Sequence, residues 1–363
     1  MKAAVLYELY QPVVVEDIEM QGPQAGEIVV KIAATGVCHS CYHAITGLLP
    51  TPLPVVLGDE GAGVVEEVGS GVALVKPGDH VVLSFVPSCG HCSYCVRGYT
   101  NLCLTSKKRE PGCMLDGSTR YKKNGTDVHH FATVSSFAEY TVIPQESAIP
   151  IAKDIPLDKA ALIGCSVTTG VCAATNTSRV QPGTSAVIFG AGGVGLNVIQ
   201  GAVLAGAEKI IGVDLMDAKL EMARQFGATH TINASDGDPI PEIQDLTEGL
   251  GADYAFEVIG TKDTYEQAVR AIRARGKAIW IGAPPLEPLS LDAGIVFWGE
   301  KIVMGSNYGS ARPRFDMPRL LSLYRAGRLN LDELVTQTYQ LEEVNEAFTD
   351  MLNGKVARGI IRF

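Results

Sequence analysis

At 363 residues the chain is longer than one ordinary core accommodates, so two domains are expected. Its 46% hydrophobic and 19% charged residues read as soluble and globular, and a formal net charge of −10 gives nonspecific nucleic-acid binding no electrostatic support. No basic segment and short apolar core open the sequence, and no apolar run is long enough to span a bilayer. A cytoplasmic protein acting on a small molecule, with no nucleic-acid or membrane partner, is the expectation.

Residues 1–164 alternate short β-rich runs (Ala3–Leu6, Ile28–Ile32, His80–Leu83) with turns such as Lys76-Pro77-Gly78-Asp79, the pattern of an antiparallel, barrel-like β domain. Within it Val55-Val56-Leu57 and Val64-Val65 read as buried strands, and two carboxylates, Asp59 and Glu60, stand between them. Gly58 and Gly61 suit a plain solvated turn there. A carboxylate pair between buried strands otherwise needs a cation, a donor network or a raised pKa.

Next comes "CGHCSYCVRGYTNLC", which spaces Cys89, Cys92, Cys95 and Cys103 by three, three and eight residues. A loop of that length folds around one tetrahedral ion. Four thiolates fill every position of Zn²⁺, so this site is read as structural. Clustered cysteines in such a chain point to metal rather than disulfides, and Cys113 and Cys172, which fit no such pattern, read as packing residues.

Over residues 165–303 the period changes. Ala186–Phe189 is a buried strand, a helix follows to Ala205, Ile210–Val213 is the next strand, and the alternation continues through Tyr254–Val258 and Ala278–Ile281. This is the α/β pattern of a doubly wound parallel sheet. Gly190, Gly192, Gly193, Val194 and Gly195 form a glycine-rich turn directly after a strand and open the helix, and Asp214 ends the following strand. The turn brings backbone and helix N-terminus to a pyrophosphate; Asp214 accepts ribose hydroxyls and repels a 2′-phosphate, which selects NAD over NADP. Residues 304–363, with helical runs at Pro318–Arg325 and Leu341–Met351 and a strand at Gly359–Phe363, are expected to return to the first domain.

Along its whole length the chain resembles zinc-dependent alcohol dehydrogenases of the medium-chain dehydrogenase/reductase superfamily. The resemblance is carried by "GVCHS", "GDEGAGVVEEVG", the four-cysteine lobe, "DGSTRY" and "HHF" in a long connecting loop, "LIGCSVTTG", "FGAGGVG", "VIG" and "GSNYGSARPRFDMPRLL". It implies a GroES-like catalytic domain beside a Rossmann domain. The long loop is similar to that of the dimeric liver-type and glutathione-dependent formaldehyde dehydrogenase branches, which implies a homodimer.

The resemblance also implies a catalytic zinc held by Cys38, Cys165 and a histidine, with water or substrate fourth. Here Asp59 stands at the histidine's position, and Cys41 stands where an aspartate orients that histidine. Two thiolates and a carboxylate leave the zinc site at one net negative charge, a weaker Lewis acid than the neutral set. Cys41 spaced as CxxC with Cys38 is a candidate additional ligand, and Glu60 one that enters or leaves the sphere. Ser40 and His43 match a proton relay, His39 and Arg358 contacts to the cofactor pyrophosphate, Thr169 a residue against the nicotinamide, Lys219 the adenosine ribose, and Val258 a further cofactor contact. The expected activity is NAD-dependent hydride transfer from a primary or aromatic alcohol, or a formaldehyde–thiol adduct. A zinc-independent reductase of activated alkenes or imines, and a nucleotide-binding protein with an inert or redox-sensing thiol site, are the alternatives.

Overall fold

In the computed structural model, which describes all 363 residues, the chain divides into two units, Met1–Ser166 with Arg312–Phe363, and Val167–Ala311. The first is built on the strand Glu27–Gly36, whose Val/Ile-rich sequence is buried at almost every position. It pairs antiparallel with Gly61–Val68, Tyr140–Pro144 and Arg358–Arg362, so the last of these strands is ordered only when the chain has returned. Ile28, Val30, Ile32, Val65, Val81, Leu83 and Ile143 fill the core on one side. A second cluster joins Cys41, Ala44, Leu57 and Phe137 to Val344, Ala347, Phe348 and Met351. The last four recur at helical spacing along Val344–Leu352, which turns its apolar face onto the short helix His39–Ile45. That packing fixes the residues around Cys38.

The second unit is a six-stranded parallel sheet crossing in the order His230–Asn233, Lys209–Asp214, Ser185–Phe189, Ala252–Glu257, Ile272–Trp280 and Ile302–Gly305. Chain order reverses at Ser185–Phe189, and such a reversal opens a crevice at the carboxyl ends of the strands. Val187, Phe189, Ile211, Ala255 and Ala278 are wholly or almost wholly buried between the helical layers.

Two features differ from the sequence reading. The return begins at Arg312 rather than 304, because Ile302–Gly305 is the last strand of the parallel sheet and Tyr308–Ser310 stays with that unit. The long connecting loop contains a hairpin, Tyr121–Lys123 against Thr126–His130, turned by Asn124 and Gly125 at φ of 50° and 79°. In it the buried His130 accepts from Arg120 N at 3.0 Å and packs on Tyr121, ring centroids 4.2 Å apart.

Candidate active site and metal centres

Three stretches of the first unit converge. Gly36 N donates to Glu60 O at 2.8 Å, and Val37 N to Gly359 O at 3.0 Å. The first bond draws in the bend that carries Asp59 and Glu60; the second draws in the strand that begins with Arg358. Cys38 follows at the start of the helix His39–Ile45, and Cys165 comes in behind the turn Leu162–Gly164. The Cys38 and Cys165 sulfurs lie 3.8 Å apart. Together with a carboxylate oxygen of Asp59 they form a buried cluster whose donor atoms all lie within 4.8 Å of one another. Two thiols and a carboxylate at that separation fit a divalent metal such as zinc, with a fourth position left over.

Electrostatics make the cluster costly without a cation. Asp59 and Glu60 are 4% and 0% exposed. Burial, with the Cys38 charge adding to it, pushes the Asp59 carboxyl up to about 7. Burial likewise pushes Glu60 up to about 8, against the pull of Arg358. The hydrogen bond shared with Cys165 holds Cys38 well below the ordinary thiol value and its partner well above it. Burial holds Cys41 well above.

Each carboxylate has its own donors. Ser40 Oγ donates to Asp59 Oδ2 at 2.5 Å, Cys165 Sγ faces the same oxygen at 3.6 Å, and Cys41 Sγ donates to Oδ1 at 3.6 Å. Glu60 Oε1 accepts from Ser166 N at 2.8 Å and Ser166 Oγ at 2.5 Å, while its Oε2 pairs with Arg358 Nη2 at 2.6 Å. Ser166 was not among the residues the sequence singles out; its only signal is its place after Cys165 in "GCSVTTG". Arg358 is 4% exposed, and its Nε is buried without a hydrogen-bond partner. His43 lies one turn after Ser40, half-buried, its pKa lowered by burial; His39 is exposed on the same helix, the two rings 6.3 Å apart.

Cys89, Cys92, Cys95 and Cys103 form the other cluster, their sulfurs within 4.8 Å of one another. Backbone N–H groups of Cys92, Leu104 and Cys89 point at the sulfurs of Cys89, Cys92 and Cys103 at 3.4, 3.5 and 3.3 Å. Donors aimed at sulfur favour the thiolate, the form that binds metal. Cys113 and Cys172 are buried outside both clusters.

In the second unit Gly190 takes φ 100°, and a Cβ on Gly195 would lie 1.8 Å from Gly190 O, so strand and helix approach as only glycine permits. A Cβ on Gly192, the residue capping the helix Gly193–Ala205, would meet nothing, which leaves room for a phosphate. Val194 sits in the first turn of that helix. Asp214 Oδ2 accepts from Ala191 N at 2.8 Å, while Oδ1 accepts from Leu215 N at 2.8 Å and Met216 N at 3.2 Å, so Oδ2 keeps a lone pair for a ligand. Lys219 is half-buried on the next helix, Asp217–Gln225; Thr169 lies on Ser166–Cys172 and Val258 just beyond Ala252–Glu257.

Family models match twice: an alcohol dehydrogenase GroES-like domain over residues 24–153 and a zinc-binding dehydrogenase over residues 193–325. The chain belongs to the zinc-binding alcohol dehydrogenase family. It is 42% identical to the NDMA-dependent alcohol dehydrogenase of Amycolatopsis methanolica, covering 99% of this chain and 98% of the relative. It is 41% identical to the class-3 alcohol dehydrogenase of Cereibacter sphaeroides, covering 100% and 99%. Among solved structures, benzyl alcohol dehydrogenase from Acinetobacter calcoaceticus superposes with a TM-score of 0.94 at 34% identity, covering 100% of this chain and 99% of that one. Like other α/β dehydrogenases of this family, the protein combines a GroES-like domain with a parallel dinucleotide-type sheet. No single helix is long and apolar enough to cross a membrane.

Proposed function

We propose that this dehydrogenase oxidises a primary or aromatic alcohol with NAD, using a catalytic zinc held by Cys38, Asp59 and Cys165 and a structural zinc held by Cys89, Cys92, Cys95 and Cys103. The observation that carries the reading is the buried cluster of two thiols and one carboxylate, which leaves a position for a substrate oxygen. When bound, zinc supplies a Lewis acid at that oxygen and the nicotinamide supplies the hydride acceptor.

The remaining work falls to the chain's own residues. Ser40 Oγ is the proposed acceptor for the alcohol hydroxyl; as it takes that proton it releases its own hydrogen, which bonds Asp59 Oδ2 in the resting site, to the path toward His43. His43, kept neutral by burial, is able to take the proton onward. Arg358 pairs with Glu60 beside the cluster, and Arg358 and His39 are the proposed contacts to the cofactor pyrophosphate. Asp214 receives the ribose hydroxyls, Lys219 the adenosine side and Thr169 the nicotinamide, with Val258 a further cofactor contact. A homodimer is the proposed assembly: Ile302–Gly305 is an edge strand, and Phe297 and Trp298, a few residues before it in the chain, are 71% and 84% exposed. A cytoplasmic setting suits two thiol clusters that must stay reduced to hold metal.

The test combines zinc counting with steady-state oxidation of an alcohol panel by NAD, with and without NDMA, on which one relative depends by its name. Two zincs per chain and alcohol turnover are expected. One zinc with turnover of activated alkenes or imines would instead identify the reductase.

A further inference from the structure

Cys41 is the buried thiol at this site that the chemistry leaves without a task. It stands three residues after Cys38, a spacing that alone would make it a ligand. The geometry assigns it elsewhere. The two oxygens of Asp59 face different sulfurs: Oδ2 faces Cys165 at 3.6 Å and receives the Ser40 hydroxyl, whereas Oδ1 receives Cys41 at 3.6 Å. The cluster of converging donor atoms is made of Cys38, Asp59 and Cys165, and Cys41 is not part of it. Cys41 lies instead in an apolar core with Val37, Ala44 and Leu57, fully buried.

We infer that Cys41 is a positioning residue that donates its S–H to Asp59 Oδ1, fixing the carboxylate so that Oδ2 alone is offered to the metal, and that it is not itself a ligand. The inference rests on the metal reading proposed above. A carboxylate turns readily about its terminal bond, and one free to turn presents either oxygen, or both. A donor on each oxygen removes that freedom. A thiol is a weak donor, but in a dry core no water competes with it. Partners that hold a metal-binding group from behind typically contribute about 10- to 100-fold in metal affinity or activity.

Cadmium NMR of the cadmium-exchanged protein tests this directly, because the position of each resonance reports how many sulfurs bind that ion. The unmodified protein should give one four-sulfur resonance and one two-sulfur resonance. Cys41→Ala should keep the two-sulfur position while cadmium affinity there falls about 10- to 100-fold, and Cys41→Ser, which restores a donor, should recover most of the loss. A three-sulfur resonance in the unmodified protein, a sulfur lost from the count in Cys41→Ala, or an unchanged affinity would each overturn the inference while leaving the metal site in place. Absence of any second resonance would overturn the metal reading and the inference with it. The four-sulfur resonance reports folding in every variant, and if Cys41→Ala fails to fold, the sulfur count of the unmodified protein decides.

Discussion

Arg358 Nη2 and Glu60 Oε2 lie 2.6 Å apart with both side chains sealed from solvent. Removing one member of such a pair strands the other charge, which costs about 3–5 kcal/mol, whereas replacing both by apolar groups costs far less. Arg358→Leu and Glu60→Leu should each lower stability by that amount in urea unfolding, and the double variant should lose much less than the sum. Additive losses would show that the pair does not act as a unit.

The family resemblance expects a histidine at position 59 and an aspartate at position 41. Asp59→His with Cys41→Asp should therefore give a neutral donor set with its orienting carboxylate and raise alcohol oxidation by about 10-fold or more. Each single change should achieve less, since the new aspartate orients nothing alone. Steady-state rates of the four proteins, with zinc measured in each, decide it; equal rates would mean that Asp59 is fully competent as it stands.

Cys103, wholly buried at the closing position of the four-cysteine lobe, is the most deeply buried member of that cluster. Its replacement by serine should release one zinc per chain by elemental analysis and lower the thermal midpoint, because binding at a closed site is coupled to folding. Unchanged zinc content would refute the assignment.

Asp214→Ser should narrow the preference for NAD over NADP by about 10-fold, which corresponds to roughly 1.4 kcal/mol. The same change removes the acceptor for Ala191 N, so the glycine-rich turn loosens and NADH binding weakens as well. Fluorescence titration with both reduced cofactors separates the two effects.

His130 carries an acid-sensitive part of the stability. Burial, with Arg120 adding to it, lowers its pKa from 6.5 to about 3. The unfolded chain therefore binds a proton that the folded chain refuses, and stability falls as pH drops from 6.5 toward 3, by an amount on the order of 4 kcal/mol. His130→Gln should flatten that acid limb in unfolding measured against pH. A limb of unchanged steepness would assign it to other groups.

What could be read in advance was local. The cysteine lobe and the glycine-rich turn announce themselves because one short loop holds every participant. The hairpin Tyr121–His130 is equally local, signalled by Asn124-Gly125, but its polar flanks mask the strands on either side. The pairing of Glu60 with Arg358 and with Ser166 is a different matter, since neither partner lies near Glu60 in sequence and no period links them. Cys41 is a case between the two: its CxxC spacing with Cys38 is local, whereas the contact of its sulfur with Asp59 Oδ1 depends on how the helix His39–Ile45 meets a bend eighteen residues on.

The interruption of the first unit by the second has a consequence for synthesis on the ribosome. All of Val167–Ala311 is translated before Arg358, so the parallel sheet has its complete sequence while the strand Glu27–Gly36 still lacks a neighbour. Until that neighbour arrives, Glu60 has no cation from the chain and the thiols of Cys38 and Cys165 have no finished wall around them. The nascent chain thus has its parallel-sheet unit complete first and the pocket around Cys38 and Cys165 closed last, in the order set by the most distant pairing.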